Sequence, residues 1–223
     1  MSENSTSLTN MNPLIEQAKN TLRAGYAQKN QTAKKGQIVF VGSSLMEIFP
    51  IEKMQQGLGL AKLIYNRGIR ATTTADLLAS MDICIFDLAP SKVFINIGTN
   101  DLGFGVPEAT FLANYDEILR QIREKLPDTQ VFVMAYYPVN PVANFGESEA
   151  EHEFLFARRN NEILESANGI VAQLAQKYHY EFINVNAGLA DADGNLRKEL
   201  TFDGAHMNPA GYEIVLGNMK KYL

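Results

Sequence analysis

Three stretches of this chain hold residue types that together make an activated nucleophile. The run IVFVG, residues 38–42, is continuously apolar and ends in a glycine followed by Ser43 and Ser44. A serine hydroxyl attacks only when a base takes its proton, so either serine needs a histidine. The chain offers His152, His179 and His206. His152 lies in the charged stretch SEAEHEFLFARRNN and His179 closes QKYHYEF, so both read as surface or helix-end residues. His206 sits in TFDGAHMNPAGYEI, a glycine-bearing loop with Asp203 three residues upstream. A carboxylate so placed accepts a hydrogen bond from one ring nitrogen, fixes the tautomer and leaves the other nitrogen to face a serine. Alone, this Asp-x-x-His spacing is a weak signal. It gains force from the strand-end serines and from Asn100 in the stretch GTND, 98–101.

The elements that must position these residues follow from hydrophobic patterning. Runs at 37–42, 62–68, 92–98, 130–138 and 180–185 are short, β-rich and apolar without alternation, the pattern of strands covered on both faces. Helical spacing fills 12–30, 74–86, 107–125, 151–178 and 209–222. Strands alternating with helices predict a three-layer α/β/α sandwich around a five-stranded parallel sheet, with the flavodoxin-like order 2-1-3-4-5. Ligands of such sheets bind beyond the carboxyl ends of the strands where the order reverses. In this order the loops after the first three strands are neighbours, which brings together a hydroxyl (Ser43 or Ser44), a glycine N–H (Gly68) and a carboxamide (Asn100).

Bulk properties narrow the function. A chain of 223 residues with 46% hydrophobic and 20% charged residues fits one folded domain, expected over 13–223, with residues 1–12 disordered. A net charge of −5 without a dense Lys/Arg block argues against a nucleic-acid partner. No apolar run approaches the roughly 20 residues of a membrane helix. The N-terminus lacks the basic start and apolar core of a secretory signal, so a cytoplasmic location is expected. The single cysteine, Cys84, lies in the apolar stretch MDICIFDL and reads as a buried thiol. DADGNL, 191–196, has turn composition, and its Gly194 comes too early for a calcium loop. The serine following Gly42-Ser43 is succeeded by Leu45 and Met46, which does not fit the G-x-S-x-G elbow of α/β-hydrolases.

Four blocks in order, VFVGSSLME, NRGIRATTT, INIGTND and DGAHMNPAGY, make residues 36–223 resemble the SGNH (GDSL-type) hydrolases. The likeness is to the branch of platelet-activating-factor acetylhydrolase-like and lysophospholipase-like esterases. The resemblance implies Ser44 as nucleophile, His206 as general base and Asp203 as its orienting partner. It implies an oxyanion hole of the Ser44 N–H, the Gly68 N–H and the Asn100 side-chain amide. The chain departs from the family at Ser43, where an Asp is usual. No metal or cofactor is implied, the partner is a small-molecule ester, and homodimer formation is left open.

Met46, Phe104, Tyr136, Tyr137, Val139 and Met207 fall on the strand-end loops and are the expected substrate contacts, suited to a small acyl group with an amphipathic leaving group. No segment reads as the wide lid of a triglyceride lipase. The expected activity is therefore hydrolysis of short-chain, acetyl-type or lysophospholipid-like carboxylic esters through an acyl-serine. A carbohydrate O-deacetylase on the same machinery, and a non-catalytic ligand-binding relative permitted by Ser43, are the competing readings.

Overall fold

The computed structural model describes residues 13–223, so the expectation of disorder for residues 1–12 lies outside the described residues. Five parallel strands, β1 (Ile38–Gly42), β2 (Ile64–Gly68), β3 (Lys92–Asn96), β4 (Gln130–Met134) and β5 (Glu181–Ile183), form one sheet in the order β2-β1-β3-β4-β5. The absence of alternation in these runs has the expected cause, since both sheet faces are covered. Val39, Val41, Val93 and Ile95 enter one buried cluster, and Ile38, Phe40 and Phe94 enter the other.

The first cluster is closed by α1 (Pro13–Asn30), α4 (Thr74–Leu78), α5 (Met81–Cys84), α7 (Glu108–Lys125) and α9 (Asn161–Lys177). The second lies under α2 (Ser44–Glu47), α3 (Ile51–Met54) and α10 (Pro209–Met219). Two further helices, α6 (Thr99–Gly103) and α8 (Glu149–Phe156), stand at the carboxyl edge of the sheet. Cys84 is buried in the first cluster, where desolvation pushes its thiol up to about 11. Among the described residues no helix is long and apolar enough to cross a membrane.

Two helices predicted as continuous are broken. The segment 151–178 divides into α8 and α9, because Asn160 takes an extended conformation and its side chain accepts the N–H of Ile163, capping a new helix. The segment 74–86 divides after α4, whose start is fixed by a Thr73–Asp76 capping box and whose end passes through Ser80. Strands β4 and β5 are shorter than predicted: β5 pairs only with 132–134, so 135–140 leaves the sheet toward its carboxyl edge.

Candidate active site

The loop after β1 and the loop before α10 meet at this edge. Ser44, the first residue of α2, places its Oγ 2.8 Å from His206 Nε2. On the far side of the ring, His206 Nδ1 lies 2.6 Å from Asp203 Oδ2. Asp203 is itself held by its own loop, its Oδ1 accepting the N–H of Ala205 at 2.9 Å and of His206 at 2.7 Å. Burial pushes the Asp203 carboxyl up, but the His206 side chain and charge and these two N–H groups outweigh it and hold the group below the ordinary carboxylate range. An ionised carboxylate in this position can hold an imidazole in the tautomer whose Nε2 accepts a serine proton. Phe202 stacks on His206, ring planes 8° apart with centroids at 5.8 Å.

Ser43 turns the other way. It is buried, and its Oγ has no hydrogen-bond partner among the described residues. Its N–H donates to Asn96 O at 3.4 Å, so its role in the loop is carried by the main chain.

Asn100 reaches the same place from β3. Gly98, with φ of +123°, makes the turn from the strand into α6 that a side-chain-bearing residue rarely adopts. The Asn100 amide donates from Nδ2 to Thr72 O at 3.0 Å and accepts at Oδ1 from Arg159 Nη2 at 3.3 Å, leaving its second N–H unclaimed by these partners. The next residue, Asp101, accepts the Thr74 hydroxyl at 2.5 Å and the Thr74 N–H at 2.9 Å, bracing the loop against the start of α4. Burial pushes the Asp101 carboxyl up to about 6.

Gly68 does not take the place expected of it. Its N–H donates to Asn66 Oδ1 at 2.8 Å and is not free for a substrate oxygen. A Cβ at Gly68 would stand 2.2 Å from Glu47 N and 2.5 Å from Met46 C, so the glycine is needed for β2 to pack under α2. The wall of the cavity that follows β2 is made instead by Arg70 and Ala71. Ala71 has φ of +54°, a left-handed conformation unusual for a residue with a side chain. Arg70 donates its N–H and its guanidinium to Glu47.

A cavity of about 720 Å³ opens beside Ser44 and His206. Its apolar wall includes Ile15, Leu45, Phe104, Phe154, Leu155 and Leu164. Of the expected substrate contacts, Phe104, Tyr137 and Val139 line it. Met46, Tyr136 and Met207 do not. Met46 and Met207 are buried in the cluster under α2 and α10, and Tyr136 is buried across the sheet with its hydroxyl donating to Ile97 O at 2.9 Å. Tyr137, whose hydroxyl is buried without a partner among the described residues, belongs to the opposite cluster from its neighbour Tyr136. Groups of His, Cys, Asp and Glu able to hold a metal ion are absent among the described residues.

The sequence model of the GDSL-like lipase/acylhydrolase family matches residues 52–214, a range that holds Gly68, Asn100, Asp203 and His206 and begins after Ser44. The chain belongs to this family. Among solved structures, this GDSL-like protein is 31% identical to one from Streptococcus pneumonia described as a platelet activating factor, over 99% of both chains, with a TM-score of 0.83. An acetylxylan esterase from Geobacillus stearothermophilus has the same fold at 18% identity, over 85% of this chain and 94% of that one, with a TM-score of 0.60. Among curated proteins, an N-acylneuraminate cytidylyltransferase from Escherichia coli is 23% identical over 193 residues, 84% of this chain. The GDSL-like chain spans about 40% of the length of that relative.

Several residues of this GDSL-like site escaped the sequence reading. Phe154 and Leu155 come from α8, whose separation from α9 was not foreseen, and Ile15 comes from the start of α1. Arg159 was passed over in the charged stretch ARRNN, yet it is buried against α6. The signal available for the break was Asn160, a good capping residue just before a periodic apolar run.

Proposed function

We propose that this GDSL-like acylhydrolase is a serine carboxylic-ester hydrolase, and that its substrates are amphipathic esters of the lysophospholipid-like kind, with an apolar acyl chain in the cavity. The observation that carries the reading is the continuous relay Ser44–His206–Asp203 opening onto an apolar-walled cavity. Ser44 Oγ adds to the ester carbonyl as His206 Nε2 takes its proton. The oxyanion is met by the Ser44 N–H and the free N–H of Asn100. A further main-chain donor falls to the Arg70–Ala71 turn in place of Gly68. Collapse of the intermediate expels the alcohol, which takes the proton from His206, and leaves an acyl-serine. Water, deprotonated by the same imidazole, releases the acid and restores Ser44.

The chemistry needs no redox group, and donors converging where charge develops are commonly the largest single contribution in acyl transfer. The side chains of Phe104, Phe154, Leu155 and Leu164 favour a methylene chain over a sugar ring, since each buried CH2 contributes about 0.8 kcal/mol. Hydrolysis of a p-nitrophenyl ester series from acetate to dodecanoate by the wild type and by Ser44→Ala tests this. Turnover that depends on Ser44 and rises from acetate to medium-length chains is expected. Ser44-dependent turnover confined to acetate and to acetylated sugars points to carbohydrate deacetylation, and equal rates for both proteins point to a binding role.

A further inference from the structure

Arg159, in the corner between α8 and α9, is a buried cation whose lowered pKa has burial as its sole cause, and no carboxylate pairs with it among the described residues. Its guanidinium donates from Nε to Thr99 O at 3.0 Å, from Nη1 to Leu155 O at 3.4 Å and from Nη2 to Asn100 Oδ1 at 3.3 Å. It lies over the rings of Phe104 and Phe154, with 5.4 and 6.0 Å to their centroids. The seat is shaped for it: a Cβ on Gly103 would fall 2.0 Å from Arg159 Cζ and 2.1 Å from Nη2. Keeping an unpaired charge inside a protein is costly, so an arrangement built around one calls for an anion that balances it.

We propose that Arg159 is a positioning residue for the oxyanion site, locking the Asn100 amide with its free N–H toward the reacting carbonyl and polarising that amide as negative charge develops. The inference rests on the ester-hydrolase reading given above. The lock follows from the two bonds of Asn100. Rotating the amide by half a turn sets its NH2 against the guanidinium, donor to donor, and its oxygen against Thr72 O, acceptor to acceptor. With Arg159 in place only one orientation is satisfied. The cation also withdraws charge through the amide, strengthening the opposite N–H as a donor in the way linked hydrogen bonds reinforce one another. The balancing anion is then transient: it is the oxyanion of the tetrahedral intermediate on Ser44.

Steady-state kinetics on a p-nitrophenyl ester that the wild type turns over, with Arg159→Met, Arg159→Lys and Gly103→Ala made in the wild-type and Asn100→Ala backgrounds, test the proposal. Loss of a whole oxyanion donor lowers kcat by about 100- to 1,000-fold, so a residue acting through that donor is expected to lower it by about 10- to 100-fold. Arg159→Met should show that fall in kcat with KM within about 3-fold, and Arg159→Lys should recover part of it. Gly103→Ala, which keeps the arginine but evicts its head group, should fall in the same direction. In the Asn100→Ala background Arg159→Met should slow the enzyme by no more than about 2-fold further, because the two side chains act as one unit. A folded Arg159→Met protein with unchanged kcat, a loss confined to KM, or full additivity with Asn100→Ala overturns the proposal. If circular dichroism shows that Arg159→Met does not fold, Gly103→Ala decides by the same criteria. Ser44→Ala run in parallel separates the two levels: if it is as fast as the wild type the ester-hydrolase reading fails, and if it alone is inactive only the role of Arg159 fails.

Discussion

Asn66 Oδ1 accepts the buried N–H of Gly68 at 2.8 Å, and Asn66 Nδ2 donates to Met46 O and, at 3.0 Å, to Phe49 O. One side chain thus ties the end of β2 to the turn that carries Ser44. The glycine near Ser44 is part of the frame, its N–H paired within the loop.

Substituting Gly68 by Ala is therefore expected to act on stability. Its Cβ meets main-chain atoms that cannot swing aside, and overpacking of this kind costs about 1–3 kcal/mol. Urea denaturation of Gly68→Ala should show a lowered midpoint, with the kcat of the remaining folded fraction close to wild type. A normal midpoint with kcat reduced about 100-fold or more would show that Gly68 acts on the reaction rather than on the frame.

The Ser43 hydroxyl, without a hydrogen-bond partner among the described residues, makes the opposite prediction. Removing a buried polar group that makes no hydrogen bond is close to neutral or slightly stabilising. Ser43→Ala should keep kcat within about 3-fold and leave the melting temperature unchanged or raised. A large loss of activity would show that this hydroxyl takes part in catalysis.

Asp203→Asn should leave the fold intact and lower kcat by about 10,000-fold, because a neutral amide stabilises the wrong imidazole tautomer. The same carboxylate carries a pH signature. Its folded pKa is depressed, so its contribution to stability is complete above the ordinary carboxylate value and is lost as pH falls through the lower folded value. Thermal melts of the wild type should therefore drop more steeply than those of Asp203→Asn on the acid side of pH 4. Parallel curves for the two proteins remove Asp203 as the source of the acid-side loss.

Asp101 has the reverse sign. Burial raises it to about 6, so between the unfolded value of about 4 and that figure the folded state holds more protons than the unfolded one. Wild-type stability should decline across this window as pH rises, relative to Asp101→Asn, and the difference should level off above it. Melting temperatures of the two proteins at half-unit pH steps check this, and a difference that does not change with pH removes Asp101 as its source.

Much of this architecture was legible because burial on both faces leaves a direct mark on strand composition. The runs at 38–42 and 92–96 pair as buried neighbours, and the order of the sheet is the flavodoxin-like one expected from the alternation of strands and helices, although patterning alone does not determine it. The Asp203–His206 spacing was equally readable, since both residues belong to one short loop. What strand-end position does not disclose is the face of the sheet on which a side chain ends. Tyr136 and Tyr137 are adjacent in sequence, yet they enter opposite clusters, and Met46 and Met207 pack into the core rather than along the cavity. Arg159 was hidden for a different reason. A solvated arginine and a buried one look alike in sequence, and what buries this one is the missing side chain at Gly103, on a helix far away in the chain.

The bond between Ser44 and His206 joins residues 162 positions apart. Closing a loop of that size is entropically among the last contacts a chain can gain, and topologies dominated by such contacts fold slowly. The relay therefore reports on global refolding. After dilution from denaturant, helical signal should return before reactivity toward a serine-directed probe, and the lag between them measures how late the two ends of the sheet's carboxyl edge come together.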